Sequence, residues 1–253
     1  MRIYFLTTDD RVFLPHFFEQ VFGETDAEII GLALVNDPSL KTFLLKSFSF
    51  LGPFTFAREV WYQARLRLMA SLAPSRPPTI GSVCAKYGVT VTSVKKVNDK
   101  SFRSFLRESD IDVLVSVACP QILRKKILEI PKLAAINVHY ALLPEYRGQY
   151  PSFWVLAEGE EYTGVSVHYM AELVDAGDVL VQVKDKILAE DTFYTLVRRL
   201  KTTIGPSALI EALRKIRGGD EFVLKNEAEK GTYYGFPTRA DMQRFRKRGR
   251  RWR

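Results

Sequence analysis

The sequence predicts an α/β fold: an open, doubly wound, mostly parallel sheet with a helical insertion and a short C-terminal extension. Three observations carry this expectation. Short β-branched runs alternate with segments of helical spacing. A proline-bounded, aromatic and basic stretch from 38 to 78 breaks that rhythm, and the composition turns strongly basic from Arg239 onward. Repeated strand–helix–strand order implies parallel strands covered on both faces, and right-handed crossovers make a doubly wound sheet their natural arrangement. On this reading residues 1–218 form one catalytic-sized domain with 38–78 as an insertion, and 219–253 form an extension with a basic tail.

The elements follow in order. Arg2 to Thr7 is a short buried strand, Leu14 to Phe22 has helical spacing, and Glu28 to Val35 is a second strand. Within 38–78, Pro53 separates two helices and Pro74 to Pro78 closes the second. This pair carries seven large aromatics and the cations Lys41, Lys46, Arg58, Arg65, Arg67 and Arg76 against one acid, Glu59. Such a pair suits a membrane interface. It equally suits a helical hairpin packing its aromatics on the sheet edge, and the absence of one clean apolar stripe favours the second. Strands at Val89 to Val94 and Ile111 to Val117 flank a helix at Ser101 to Arg107. A basic helix is expected from Pro120 to Ile130, then a strand from Leu133 to Val138 and a helix from Ser152 to Glu158. Thr163 to Met170 and Asp178 to Lys186 form a strand pair around the turn Asp175-Ala176-Gly177. Thr192 to Arg217 is a long amphipathic helix stopped by Gly218-Gly219.

Composition narrows the class. The hydrophobic fraction of 47% fits a folded domain rather than a disordered chain. No run reaches the roughly 18 apolar residues of a spanning helix, and the short apolar start before Asp9-Asp10-Arg11 does not read as a secretory signal. Cys84 and Cys119 show no metal or redox spacing and His16, His139 and His168 no zinc pattern, so no metal is expected and a cytoplasmic setting is the default. Of the net charge of +8, residues 239–253 carry eight bases and one acid. The basicity belongs to the tail, not to the domain.

Two segments hold the residues that could do chemistry. In Asn137-Val138-His139, alternation places both polar side chains on one face at the end of a strand, where open parallel sheets bind ligands. The same pair also suits an Asn capping a turn beside a half-buried His. Asp175 lies in a Gly-bearing turn, a place where acids are common for local reasons. Together the three suit acyl transfer: an amide to hold a developing oxyanion, an imidazole to move protons and a carboxylate to orient it. No Ser or Cys stands in a nucleophile-elbow context, so the nucleophile is expected to come from the substrate.

At these residues the sequence resembles the folate-dependent formyltransferase family, which includes glycinamide ribonucleotide, methionyl-tRNA and sugar-amine formyltransferases. The match comprises Asn137-x-His139, the loop Leu142-Leu143-Pro144-Glu145-Tyr146-Arg147-Gly148, and the Gly164 strand leading to Asp175-x-Gly177, strongest from Ile111 to Ile187. The resemblance implies a Rossmann-like fold and 10-formyltetrahydrofolate as formyl donor. It implies direct attack of an amine through a tetrahedral intermediate, with Asn137 and protonated His139 on its oxygen and Asp175 holding His139. Pairing with Asp175 should favour the charged imidazole. It also implies folate contacts at Pro120, Gln121, Leu123, Met170, Ala171, Glu172 and Val174, with His168 at a nearby family position.

Departures from the family pattern bear on the acceptor. Ala141 stands where many relatives have Ser, and Tyr140 where they often have Pro or Gly, both on the acceptor side. Thr7-Thr8-Asp9-Asp10-Arg11 lacks the Gly- and Ser-rich phosphate cradle of the glycinamide ribonucleotide enzymes. The 34 residues after Gly219 are too few for the separate carboxy-terminal domain of the tRNA enzymes. The expected acceptor is therefore a small-molecule primary amine, a nucleotide-linked amino sugar, with a homodimer as the family's frequent assembly. Two other readings stand beside it: formylation of a lipid-linked amine at the inner membrane face with 38–78 as a peripheral contact, and a formyltransferase-like RNA-binding protein using Arg244 to Arg253. For that tail a terminal helix running into a solvated charge run is the simpler expectation. Arg147 either fixes its loop or faces acceptor phosphate; Tyr150 and Trp154 either stack on a substrate ring or pack in the core.

Overall fold

The computed structural model describes residues 1–36, 40–72, 79–219 and 223–253. Its elements are β1 (Arg2–Thr7), α1 (Leu14–Glu24), β2 (Glu28–Val35), α2 (Leu40–Leu51), α3 (Pro53–Leu72), α4 (Ile80–Lys86), β3 (Val91–Val94), α5 (Lys100–Glu108), β4 (Val113–Val117), α6 (Lys125–Leu128), β5 (Ala134–His139), β6 (Arg147–Gly148), α7 (Pro151–Glu158), β7 (Tyr162–Tyr169), β8 (Val179–Lys186), α8 (Phe193–Arg199), α9 (Gly205–Gly218), β9 (Tyr233–Tyr234) and α10 (Arg239–Lys247).

Seven of the described strands form one sheet in the order β3-β2-β1-β4-β5-β7-β8. β1 to β5 run parallel, whereas β7 is antiparallel to β5 and β8 to β7. The mostly parallel, doubly wound expectation holds. Alternation along β1 shows why both faces are covered: Ile3 and Phe5 point into a core under α1, α7 and α9, and Tyr4 and Leu6 into a second core under α5 and α6. All five residues of β4 are buried, so its Val-rich run reads as a central strand. Strand order reverses between β1 and β4, and the crevice at that reversal is where such sheets hold ligands.

Several boundaries differ from the sequence reading. Only Lys125–Leu128 is helical where a helix from Pro120 to Ile130 was expected. Pro120 cannot donate, and residues 118–123 instead form an irregular loop at the strand end, with Ala118 at φ 54°. The long helix over 192–217 is interrupted by a π-helical turn at Leu200–Ile204. Pro206 has no N–H to offer the carbonyl one turn back, so the helix widens just before it. As expected, Pro53 opens α3 directly after α2; Gly52 makes the turn at φ 76°. The closing role given to Pro74–Pro78 and the start of the insertion at Pro38 lie outside the described residues.

The aromatics of the insertion do not all pack inward, as a hairpin on the sheet edge required. Phe50 is buried against Phe153 and Trp252, whereas Phe48, Phe54 and Trp61 are exposed. The apolar residues form two stripes rather than one, which is why no single stripe is visible in the sequence.

The C-terminal tail is a helix running into a charge run of which Arg246, Lys247, Arg248 and Arg251 are exposed, but it is also anchored. α10 packs on α2 and α7, burying Met242 and Phe245. Beyond it, Trp252 stacks on Phe193 at 4.1 Å. Arg253 forks onto both carboxylate oxygens of Glu59 at 2.6 and 2.8 Å and lies over the Tyr62 and Tyr194 rings. The insertion and the tail are therefore one packed unit. Trp252→Ala should cost about 2–3 kcal/mol, and Arg253→Ala about 1 kcal/mol because its ion pair keeps some solvent access. Denaturant melts of the two variants check both the size and the order.

Candidate active site

Asn137 and His139 end β5 on one face, and the antiparallel register sets His168 of β7 directly opposite Asn137. The sheet alone thus brings three polar side chains together, because residues two apart and cross-strand partners share a face. Asp175 arrives from the loop after β7. Its backbone is left-handed, at φ 51°, and Gly177 follows so closely under β7 that a Cβ would lie 1.9 Å from the Tyr169 carbonyl oxygen. Only glycine permits that approach.

The carboxylate of Asp175 is the hub. Oδ2 accepts from the Gly148 N–H at 2.9 Å and faces His139 Nδ1 at 3.5 Å. Oδ1 lies 3.4 Å from both His168 Nε2 and Asn137 Nδ2. Gly148 is itself held at φ 96° by the short pairing of β6 with β9, where a Cβ would meet the Tyr234 carbonyl. Burial raises the Asp175 pKa, but the electrostatic pull of the neighbouring His139, the bond from His168 and the Gly148 amide outweigh it and hold the carboxyl far below its ordinary range.

His139 is in the opposite position. Its Nε2 lies 2.9 Å from the Tyr146 carbonyl oxygen, which can only accept, so Nε2 carries the hydrogen. Both ring nitrogens face oxygens, a setting that suits the cation. Full burial nevertheless wins over the pull of Asp175 and lowers the imidazole pKa below its ordinary value. The sequence expectation of a charged resting His139 is corrected on that ground: it weighed the partner and not the desolvation. His168 Nδ1 is anchored on the Tyr169 carbonyl at 2.8 Å, and Nε2 lies 3.2 Å from the Asn137 amide.

These residues open onto a cavity of about 660 Å³, a size that suits a heterocyclic ligand. Of the expected folate contacts, Pro120, Gln121, Leu123, Met170, Ala171 and Val174 line it; Glu172 is exposed to solvent and does not. Gln121 is a strut more than a contact. Its amide donates to the Asn36 and Lys95 carbonyls, each at 2.7 Å, and accepts from Val97 N–H, tying the ends of β2 and β3 to the cavity floor. The backbone N–H groups of Ile122 and Leu123 find no acceptor among the described residues. An open wall of backbone donors fits the hydrogen-bonding edge of a pterin. Cys119 lines the same wall, but burial pushes its thiol up to about 11, so it is packing and not a nucleophile.

The family model for formyl transferase matches residues 72–213. The chain belongs to the formyl transferase family. Among similar proteins, the methionyl-tRNA formyltransferase of Geobacillus sp. (strain WCH70) is 36% identical over 157 residues, 62% of this chain and 49% of that protein. The chain spans about half the length of the curated relatives it matches. A sugar N-formyltransferase from Shewanella sp FDAARGOS_354 superposes with a TM-score of 0.58 at 18% identity, covering 93% of this chain and 76% of that one. The sugar 3N-formyl transferase WlaRD, solved in the presence of dTDP and 5-N-formyl-THF, superposes with a TM-score of 0.60 at 14% identity, covering 93% and 69%. These two show the shared fold.

The structure decides the roles the sequence left open for Arg147, Tyr150 and Trp154, and adds residues that escaped sequence reasoning. Arg147 does not line the cavity; it is buried, reaching the Val174 carbonyl at 3.5 Å and the Tyr233 ring, so it fixes its loop. Trp154 stacks on Tyr234 and bonds the Gly235 carbonyl, a packing role, whereas Tyr150 lines the cavity. Lys46 and Phe43 come from the insertion and Phe236 from the extension; nothing in local pattern links them to β5. Asn226 is buried and donates to the carbonyls of both Asp175 and Gly177, at 3.0 and 2.9 Å. It clamps the turn that carries the carboxylate.

Two outcomes follow. Asn226→Ala should lose about 1–3 kcal/mol of stability, since two buried carbonyls are left unpaired; a denaturant melt measures it. Because the His139 pKa is depressed in the folded state, the unfolded chain binds the extra proton first, so stability should be full above the unfolded value of about 6.5 and fall as pH drops through it. His139→Gln should flatten that part of the pH–melting profile.

Proposed function

We propose that this chain transfers a formyl group from 10-formyltetrahydrofolate to the primary amine of a small acceptor, a nucleotide-linked amino sugar. The observation that carries the reading is a buried Asp175–His139 pair beside Asn137 and His168, opening on one cavity with two differently built ends. One end is the backbone wall at 118–123 and 170–174; Pro120, Leu123, Met170, Ala171 and Val174 would hold the pterin there. When bound, the folate supplies the formyl carbon.

The chain's own residues would act as follows. Neutral His139 takes the amine proton on Nδ1 as the amine nitrogen bonds the formyl carbon, and Asp175 Oδ2 stabilises the imidazolium so formed. Asp175 itself, held so far below the usual carboxylate range, is a poor base and an effective counter-ion. The Asn137 amide spans only long contacts of 3.2 and 3.4 Å, free to shorten toward an oxygen that gains charge. His139 then returns its proton to the departing folate nitrogen as the old carbon–nitrogen bond breaks.

The other end supports a small ring-bearing acceptor. Phe43, Tyr150 and Phe236 line it, with Phe236 packed against both other rings. Tyr140, the departure noted in the sequence, also lines it with a buried hydroxyl that has no partner. Lys46 and Lys201 add positive charge, Lys201 being shared with Asp10 at 3.3 Å. At the start of α1, Asp10 occupies the Val12 and Phe13 amides at 2.7 and 3.0 Å, so that helix end offers no free cradle to a phosphate.

A second reading is formylation of methionyl-tRNA, favoured by the identity to proteins of that name. Incubation of the full chain with 10-formyltetrahydrofolate and either a nucleotide-linked amino sugar or methionyl-tRNA, followed by folate absorbance and product mass, separates the two. Turnover with the sugar alone is expected; turnover with the tRNA alone would replace the acceptor assignment. His139→Gln and Asp175→Asn should each lower kcat at least about 100-fold with the fold intact, and wild-type rates in either would remove the mechanism.

A further inference from the structure

The α2–α3 hairpin carries apolar side chains on two faces. The inner one is occupied: Phe43 and Lys46 line the cavity, Phe50 is buried against Phe153, and Glu59 and Tyr62 hold Arg253. The outer one meets solvent. Leu44, Leu45 and Phe48 recur on α2 at intervals of three and four, and Phe54, Ala57, Trp61 and Ala64 do the same on α3, so each set forms one stripe. All are exposed; Phe54 is 91%, Leu45 71% and Trp61 61% accessible. The Phe48 ring packs edge-on against Phe56, joining the two helices.

Charge on this face has one sign. Lys41, Arg58 and Arg65 are exposed beside the stripes, with the Arg65 guanidinium 5.8 Å over the Trp61 ring. Glu59, the one acid between 40 and 72, is turned inward and neutralised by Arg253. A contiguous apolar patch of this kind marks an interaction site, and the surrounding cations select what covers it. A second copy packed two-fold about Trp61 would set Arg58 against its partner's Arg65, a like-charge contact that works against self-association. An anionic surface removes that penalty.

We propose that the outer face of the α2–α3 hairpin docks on an anionic lipid bilayer, lying in the interface with Phe54, Trp61 and Leu45 among the acyl chains and Lys41, Arg58 and Arg65 at the headgroups. No helix of the described residues is long and apolar enough to cross a membrane, so the contact is parallel to the surface. Because α2 lines the cavity with its other face, docking brings the acceptor end of the cavity to the headgroup layer. On the formyl-transfer reading, and resting on it, an amine borne by a lipid headgroup then falls within the acceptor class. The docking itself does not depend on that chemistry.

The test is flotation of the full chain with vesicles of phosphatidylglycerol and phosphatidylcholine, against phosphatidylcholine alone, with tryptophan emission recorded. Wild type is expected to float with the anionic vesicles only, to release as salt rises, and to show blue-shifted emission. Phe54→Glu with Trp61→Glu, and separately Arg58→Glu with Arg65→Glu, should each weaken binding at least about tenfold. Unchanged melting would show that these exposed positions leave the fold intact. Absence of binding by folded wild type would overturn the proposal, as would equal binding by either double variant. So would a dimer in light scattering that Phe54→Glu with Trp61→Glu dissociates, since the face would then join two copies. Formyl transfer to a soluble acceptor is measured separately: docking without turnover defeats the chemical reading alone, and turnover without docking defeats only this one.

Discussion

The ionised carboxylate of Asp175 is buried, and a lone charge in that setting costs several kcal/mol unless hydrogen bonds and opposite charge surround it. Every element near the site contributes to that compensation. β5 brings His139 and Asn137, β7 brings His168, and the loop after β5 turns back so that the Gly148 amide reaches Oδ2. Removing any one of these neighbours disturbs the others around a buried anion, so the four act as a unit and their separate losses will not add.

That unit reaches beyond the sheet. The Gly148 amide is aimed by the pairing of β6 with β9, and the Asp175 turn is clamped by Asn226. Both β9 and Asn226 belong to the segment after residue 218. The extension therefore does what a substrate-binding appendage alone would not: it holds the geometry of the reacting centre. Its last residues in turn lock the insertion through Trp252 and Arg253, and the insertion supplies Phe43 and Lys46 to the cavity. One end of the cavity is built from two segments that interrupt or follow the sheet pattern, whereas the opposite wall is built from the strand ends themselves.

The protonation pattern comes from a contest of the same kind. Asp175 has three neighbours that favour its charge, His139, His168 and the Gly148 amide; His139 has one strong partner and complete burial. The result is an ionised acid beside a resting neutral imidazole, the pairing on which the proposed mechanism draws. Desolvation, not the distance between the two groups, decides which of them does that work.

The sequence by itself determined the sheet and singled out Asn137, His139 and Asp175 as the candidate residues. Period-two alternation put Asn137 and His139 on one face, apolar runs marked β1 and β2, β-branched runs marked β3 and β4, and Asp175-Ala176-Gly177 was legible as a turn because Asp and Gly favour turns. These are local rules, and local rules survive without coordinates. What only the tertiary structure decided is long-range. Asn226 meets Asp175 across 51 positions, Arg253 meets Glu59 across 194, and no periodicity spans such a gap. The two-faced hairpin was equally hidden, since an apolar stripe that packs inward and one that meets solvent look alike until burial separates them. Burial also reversed the expectation for His139, because a charge partner can be read from spacing and a desolvation cost cannot.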